Sequence, residues 1–156
     1  MSPQIVASPH EDVTIHGHIL SVIIHREPGA APEEGVRQFY ETGALIDTGA
    51  SDICVDYRIA QALKLRQVDQ RTIGTAGGSV EVAVYNGVFE VPLLGFKRSM
   101  RLFAPRIDRV NYSVLIGRSL LKDYIVNFNG PTGEVHFIHP RELPQPSHRQ
   151  DDDFPS

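Results

Sequence analysis

ALIDTGAS, residues 44–51, runs three apolar residues up to a carboxylate and then turns at once through Thr48, Gly49 and Ala50. A carboxylate beside an apolar strand is costly unless it is paired or hydrogen-bonded. Asp47 therefore reads either as a helix N-cap or Asx-turn residue on an ordinary connection, or as a working acid. Its neighbours suit the second role. Leu45 and Ile46 anchor the strand in the core, and Gly49, with no Cβ, lets its own N–H approach the carboxylate. The Thr48 hydroxyl can lock the turn through a backbone contact.

Working outward, the segments on both sides of this turn are strand-like. VTIHGHILSVIIH (residues 13–25) is rich in β-branched residues and partly alternating, and residues 36–46 return to strand character after the Pro/Gly insert around residue 30. Residues 55–65 carry Ile59, Ala62 and Leu63 at helical spacing. Residues 70–84 form two alternating arms around Ala76-Gly77-Gly78-Ser79, a hairpin with a glycine tip. Strands follow at 87–94, 100–105 and 113–116, then a short helix over RSLLKDY (residues 118–124) and a last hairpin turning at 129–133. The fold class expected is mostly β with one or two short helices.

Length and charge narrow the function. At 156 residues the chain suits one domain. We assign residues 13–139 to it, residues 1–12 to an N-terminal extension, and residues 140–156, with four prolines and the ending DDDFPS, to a disordered tail. A net charge of -4 offers no general attraction to nucleic acid or to an anionic membrane, so neither is an expected partner. The single Cys54 makes no internal disulfide, and no basic-then-apolar leader opens the chain, so a cytoplasmic location is expected. His16 and His18 share a strand face, but no cysteine or third histidine lies near them in sequence, and exposed strand histidines are the better reading than zinc. No metal or cofactor is expected.

Leu45-Ile46-Asp47-Thr48-Gly49-Ala50-Ser51 is followed by Leu115-Ile116-Gly117-Arg118, with Gly117 lying 70 positions beyond Asp47, and then by Leu120-Leu121. The glycine-tipped hairpin lies between the two motifs. Over residues 36–137 this order resembles the retroviral-type aspartic proteases, the retropepsins. The resemblance implies a closed β barrel with a flap hairpin, in which the second apolar-Gly stretch crosses near the first. It also implies an active site built from two aspartates. The chain has one Asp-Thr-Gly and no second one, so the resemblance implies a symmetric homodimer.

In that arrangement Asp47, Thr48 and Gly49 of each copy form the catalytic turn. Two carboxylates in close approach share one proton and titrate as a unit, one activating a water and the other donating to the scissile carbonyl. The substrate is an extended polypeptide across the two-fold axis, paired with the flap at Thr75, Ala76, Gly77 and Gly78. Leu45, Cys54, Ser113 and Leu115 shape its side-chain pockets, with Ile73 and Val80 at the flap base. Gly117 closes the second motif, and Arg118 pairs with Asp52 to brace the dimer. A retropepsin-like dimer that binds peptides without cleaving them is the alternative, and a precursor that trims its own ends is a third reading.

Overall fold

The computed structural model describes residues 4–7 and 17–142. In chain order the elements are β1 (Gln4–Ala7), β2 (Ile19–His25), β3 (Phe39–Ile46), β4 (Cys54–Val55), helix α1 (Tyr57–Ala62), β5 (Arg66–Thr75) and β6 (Gly78–Val91). They continue with β7 (Phe96–Ala104), β8 (Val114–Ile116), helix α2 (Arg118–Leu121), β9 (Ile125–Asn129) and β10 (Glu134–Ile138). Single 3-10 turns occupy Pro92–Leu94 and Pro140–Glu142.

Hydrogen bonding runs β2-β3-β8-β4-β7-β6, and β6 returns to pair with β2. Six strands thus close into a barrel, which removes the exposed edges an open sheet would carry. The barrel interior is filled by the apolar halves of alternating strands: Leu20, Val22 and Ile24 from β2, Ala44 and Ile46 from β3, Val114 and Ile116 from β8. Burying each of these Leu, Ile and Val side chains stabilises the fold by about 1.5–3 kcal/mol. A second sheet of three strands, ordered β1-β10-β9, adds Val135 and Phe137 to the same core. Gln4–Ala7, which the sequence reading set in the N-terminal extension, supplies the strand that pairs with Glu134 to Phe137.

Several boundaries differ from the sequence reading. The strands expected at 70–84 and 87–94 are one hairpin, because β6 runs without a break from Gly78 to Val91, and Gly87 sits in the ladder opposite Met100. β7 begins at Phe96, after a 3-10 turn that ends on Gly95 in the left-handed region. The helix expected over 55–65 is confined to Tyr57–Ala62, because Val55 belongs to β4 and the Asp56 side chain accepts the Arg58 N–H to cap it. Of the strand expected over 13–25, residues 13–16 lie outside the described residues, as do residues 143–156 of the expected tail.

Asp56 is the one buried charged residue among those described. Its Oδ1 accepts from the Arg58 N–H and Nε at 2.9 and 2.8 Å, and its Oδ2 from Arg58 Nη2 at 3.0 Å and the Ile107 N–H at 2.9 Å. Burial works to raise this carboxyl. The Arg58 side chain and the Ile107 and Arg58 backbone N–H groups overcome it and hold the group below its ordinary value. The carboxylate thereby pins the loop after β7 to the start of α1.

Candidate active site

β3 and β8 run parallel, with Leu45 opposite Leu115 and Ile46 opposite Ile116. β8 lies between β3 and β4, the strands on either side of the Asp47 turn. The turn is bonded to β8 and to the start of α2 at several points. The Asp47 N–H donates to the Ile116 carbonyl at 3.0 Å, the Arg118 N–H to the Ala50 carbonyl at 2.9 Å, and the Ser119 N–H to the Ser51 carbonyl at 2.9 Å. A Cβ on Gly117 would lie 2.3 Å from the Asp52 carbonyl oxygen and 2.7 Å from the Ala50 carbonyl oxygen, both backbone atoms. Glycine is required there by close approach, and the two motifs form one interlocked floor.

The Asp47 side chain is half-buried at this floor. Its Oδ1 accepts the Gly49 N–H at 2.9 Å, and a Cβ on Gly49 would come within 3.1 Å of that oxygen. Its Oδ2 has no partner among the described residues of a single chain. One oxygen is oriented and the other is available, which suits a group that must exchange a proton with a bound molecule. No helix starts at this turn; the chain passes into β4, so the N-cap reading of Asp47 does not hold and Asp56 fills that role instead. The Gly49 N–H bond to Oδ1, by contrast, is the contact of an Asx-turn, so Asp47 shapes its own turn as well as facing the cleft.

Two contacts expected from the sequence are replaced. The Thr48 hydroxyl makes no bond among the described residues, and the locking contact comes from its carbonyl, which accepts from Arg118 Nη1 at 2.7 Å. Within one chain Arg118 therefore does not pair with Asp52. The Asp52 Oδ2 accepts instead from the Ser51 hydroxyl at 3.0 Å, and the residue lines the cleft. Arg118 still ties the second motif to the first, through the backbone of the turn.

Above this floor opens a cleft of about 650 Å³. Its floor is Asp47, Gly49 and the turn up to Asp52, with Cys54 and Leu115; its roof is residues 71–75 of the hairpin; its far wall is Phe103 and residues 105–107. Among the expected pocket residues, Thr75, Leu115, Cys54 and Ile73 line it. Leu45 instead lies against Gly17. Ser113 has its backbone committed at the start of β8, its N–H donating to Gly43 and its carbonyl accepting from Asp56. Val80 and the tip residues Ala76, Gly77 and Gly78 are exposed, beyond the cleft.

The tip is a two-residue turn, with Thr75 opposite Gly78 and the Thr75 hydroxyl donating to the Gly78 carbonyl at 2.6 Å. Cleft residues the sequence reading did not name are Arg71, Thr72, Gly74, Phe103, Pro105, Arg106 and Ile107.

Cys54 is half-buried in the cleft, not a closed core position. Burial, then the Asp52 and Asp47 carboxylates, push its thiol up to about 11, so it is protonated and a poor nucleophile at neutral pH. His18 packs edge-on against Phe128 at 5.4 Å with its Nε2 buried and unbonded among the described residues, and burial lowers its pKa. It faces the second sheet, away from the cleft; His16 lies outside the described residues.

Several solved structures are similar to the chain. The simian foamy virus protease is 23% identical with a TM-score of 0.44, the match covering 67% of this chain and 92% of that one. A retropepsin-like aspartic protease from Rickettsia conorii is 22% identical with a TM-score of 0.45, covering 77% and 91%. The protease of EIAV is 24% identical with a TM-score of 0.41, covering 53% and 76%. No curated protein matches the chain. The family profile described as aspartyl protease matches residues 36–120, the span that holds the Asp47 turn, the hairpin and β8, and the chain belongs to that family.

Proposed function

We propose that the protein is an aspartic endopeptidase that acts as a homodimer, cleaving an extended polypeptide with a water activated between Asp47 of one copy and Asp47 of the other. The observation that carries this reading is the Asp47 carboxylate at the floor of an open cleft, with one oxygen fixed by the Gly49 N–H and the other without a partner among the described residues. A single chain supplies one such group, and peptide hydrolysis by carboxylates needs both a base and an acid. A second copy completes the pair. The ionised member takes a proton from the water as its oxygen adds to the carbonyl carbon, and the protonated member donates to the carbonyl oxygen. Collapse of the gem-diol then breaks the C–N bond as a proton passes to the leaving amine.

Substrate access follows from the hairpin. Among the described residues β5 pairs with β6 alone, so its other edge presents backbone groups without strand partners there, beside the cleft. A peptide strand can add to that edge.

The test is to incubate the purified protein with unfolded casein beside an Asp47→Ala variant, over a range of protein concentrations. Fragments that appear only with the unmodified protein, at a rate rising faster than linearly with its concentration, support a dimeric endopeptidase. Identical behaviour of the two proteins would overturn it in favour of a peptide-binding module.

A further inference from the structure

The register of the hairpin puts a charge on the face that covers Asp47. Residues directly opposite in an antiparallel pair share a face, and Arg71 lies opposite Val82, Ile73 opposite Val80, and Asp69 opposite Val84. Val82 and Val84 are buried, so this face is the one turned toward the barrel. On this face β5 carries Asp69, Arg71, Ile73 and Thr75, so an arginine stands beside Ile73 in the lining of the cleft.

The opposite wall repeats the pattern. Between Pro105 and Ile107, both lining the cleft, stands Arg106, which lines it too. The two guanidiniums are held in the same way: Arg71 Nε donates to Asp69 Oδ2 at 2.7 Å, and Arg106 Nε donates to Asp108 Oδ2 at 2.6 Å. Asp69 is itself fixed by the Gln70 N–H at 2.8 Å. Among the described residues the Nη groups of both arginines make no hydrogen bond. An arginine steadied at Nε keeps its terminal donors for a second carboxylate, and loses less freedom in binding it than a loose side chain would.

We propose that each half of the cleft selects a substrate carrying an aspartate or glutamate within about three residues of the scissile bond, roughly 10 Å of extended strand, held by Arg71 and Arg106. This rests on the endopeptidase reading above. The apolar lining from Ile73, Phe103, Ile107 and Leu115 gives the adjoining substrate positions an apolar preference. Asp52 carries the opposite sign at the floor, where its Oδ2 already accepts from the Ser51 hydroxyl. The floor thus carries two carboxylates, Asp47 and Asp52, and an acidic substrate side chain is drawn to the walls, where the terminal donors of Arg71 and Arg106 are not used by Asp69 and Asp108. In a two-fold dimer the same preference applies on both sides of the cut.

The experiment uses a series of apolar decapeptides with a central Phe-Leu bond, carrying Glu, Gln or Lys at each of the three positions on either side. At low salt the Glu peptide of the best position is expected to exceed its Gln counterpart roughly tenfold in kcat/KM, mainly through KM. The advantage is expected to shrink as salt rises and to approach one in the Arg71→Gln, Arg106→Gln double variant. A Glu/Gln ratio at or below one in the unmodified protein, a Lys preference, or a ratio that the double variant leaves unchanged would overturn the proposal while the endopeptidase reading stands. If no peptide is cut, the endopeptidase reading fails, and fluorescein-labelled copies titrated into the Asp47→Asn protein by anisotropy read the charge preference alone. Tighter binding of the Glu peptide then supports the selection, and equal binding refutes it.

Discussion

The floor and the roof of the cleft are built on opposite terms. In the floor, Asp47, Ala50, Ser51 and Thr48 all give backbone groups to the segment running from Ile116 to Ser119, and Gly117 has backbone oxygens closer than any Cβ tolerates. In the roof, a Cβ added at Gly74 or Gly78 meets nothing within 4 Å, and residues 74–81 are exposed. A carboxylate that must hold its geometry sits on the part with no slack, and the part a substrate has to pass has few contacts to break. Substitutions that cross this divide should therefore differ in kind as well as in size.

The largest effect expected is on chemistry alone. Asp47→Asn keeps the shape of the turn and its acceptor for the Gly49 N–H, but removes the ionisable group. Cleavage is expected to fall by at least ~10³-fold while the urea midpoint stays near that of the unmodified protein. A variant that still cuts at a comparable rate would detach the floor from the chemistry.

Next comes the architecture of the floor. Gly117→Ala forces a methyl against the backbone carbonyls of Ala50 and Asp52, the first of them held in place by the Arg118 N–H. We expect a loss of about 3 kcal/mol or more, read as a drop in the urea midpoint, with cleavage lost along with it. A mild effect would mean that the two motifs slide past one another, and that the contrast with the roof is weaker than the distances imply.

Asp56 tests the support beneath the far wall. Asp56→Ala leaves the buried Ile107 N–H without an acceptor and frees the Arg58 side chain, and is expected to cost roughly 2–4 kcal/mol. The pH dependence has a definite sign. The folded-state pKa of Asp56 lies below its ordinary value of 3.8, so the stabilisation is fully present above about pH 4 and is lost as pH falls through the lower, folded value. The stability of the unmodified protein should thus decline more steeply below pH 4 than that of Asp56→Asn, as measured by urea unfolding at stepped pH.

The parts of this molecule that were legible in the sequence are those written in local pattern. β-branched alternation marked β2, the glycine tip marked the hairpin, and the apolar run into Asp-Thr-Gly marked the floor. Closure of the barrel was expected through the resemblance and not from local pattern, because it depends on Phe89 of β6 returning to Ile24 of β2, a pairing between distant segments that leaves no local trace. The far wall was hidden for the same reason: Phe103 reaches the cleft because β7 pairs with the distant segment β4, where Cys54 is its partner. Gly87 misled in the other direction, since a glycine after Asn86 reads as a break, yet the neighbouring strand β7 holds it in the ladder. The Arg118 contact was foreseen in place and missed in partner, because a side chain of that length chooses between the carboxylate of Asp52 and the carbonyl of Thr48 by geometry that spacing does not encode.

The smallest effect expected is at the roof, and it is the sharper test of the contrast. Gly77→Ala places a methyl whose nearest neighbour is the Thr75 hydroxyl at 4.0 Å, with no backbone in the way. Gly77 is also outside the left-handed region that the next residue, Gly78, occupies at φ +114. The added side chain narrows the unfolded ensemble slightly and meets no strain in the folded one, so the change in stability should stay within about 0.5 kcal/mol. If the hairpin has to open and close for a polypeptide to enter, stiffening its tip slows that motion without weakening the fold, and kcat/KM should fall a few-fold at an unchanged urea midpoint. Equal kinetics would make the roof a fixed cover. A loss of stability rivalling that of Gly117→Ala would show the tip to be as tightly held as the floor, and the division between the two would go with it.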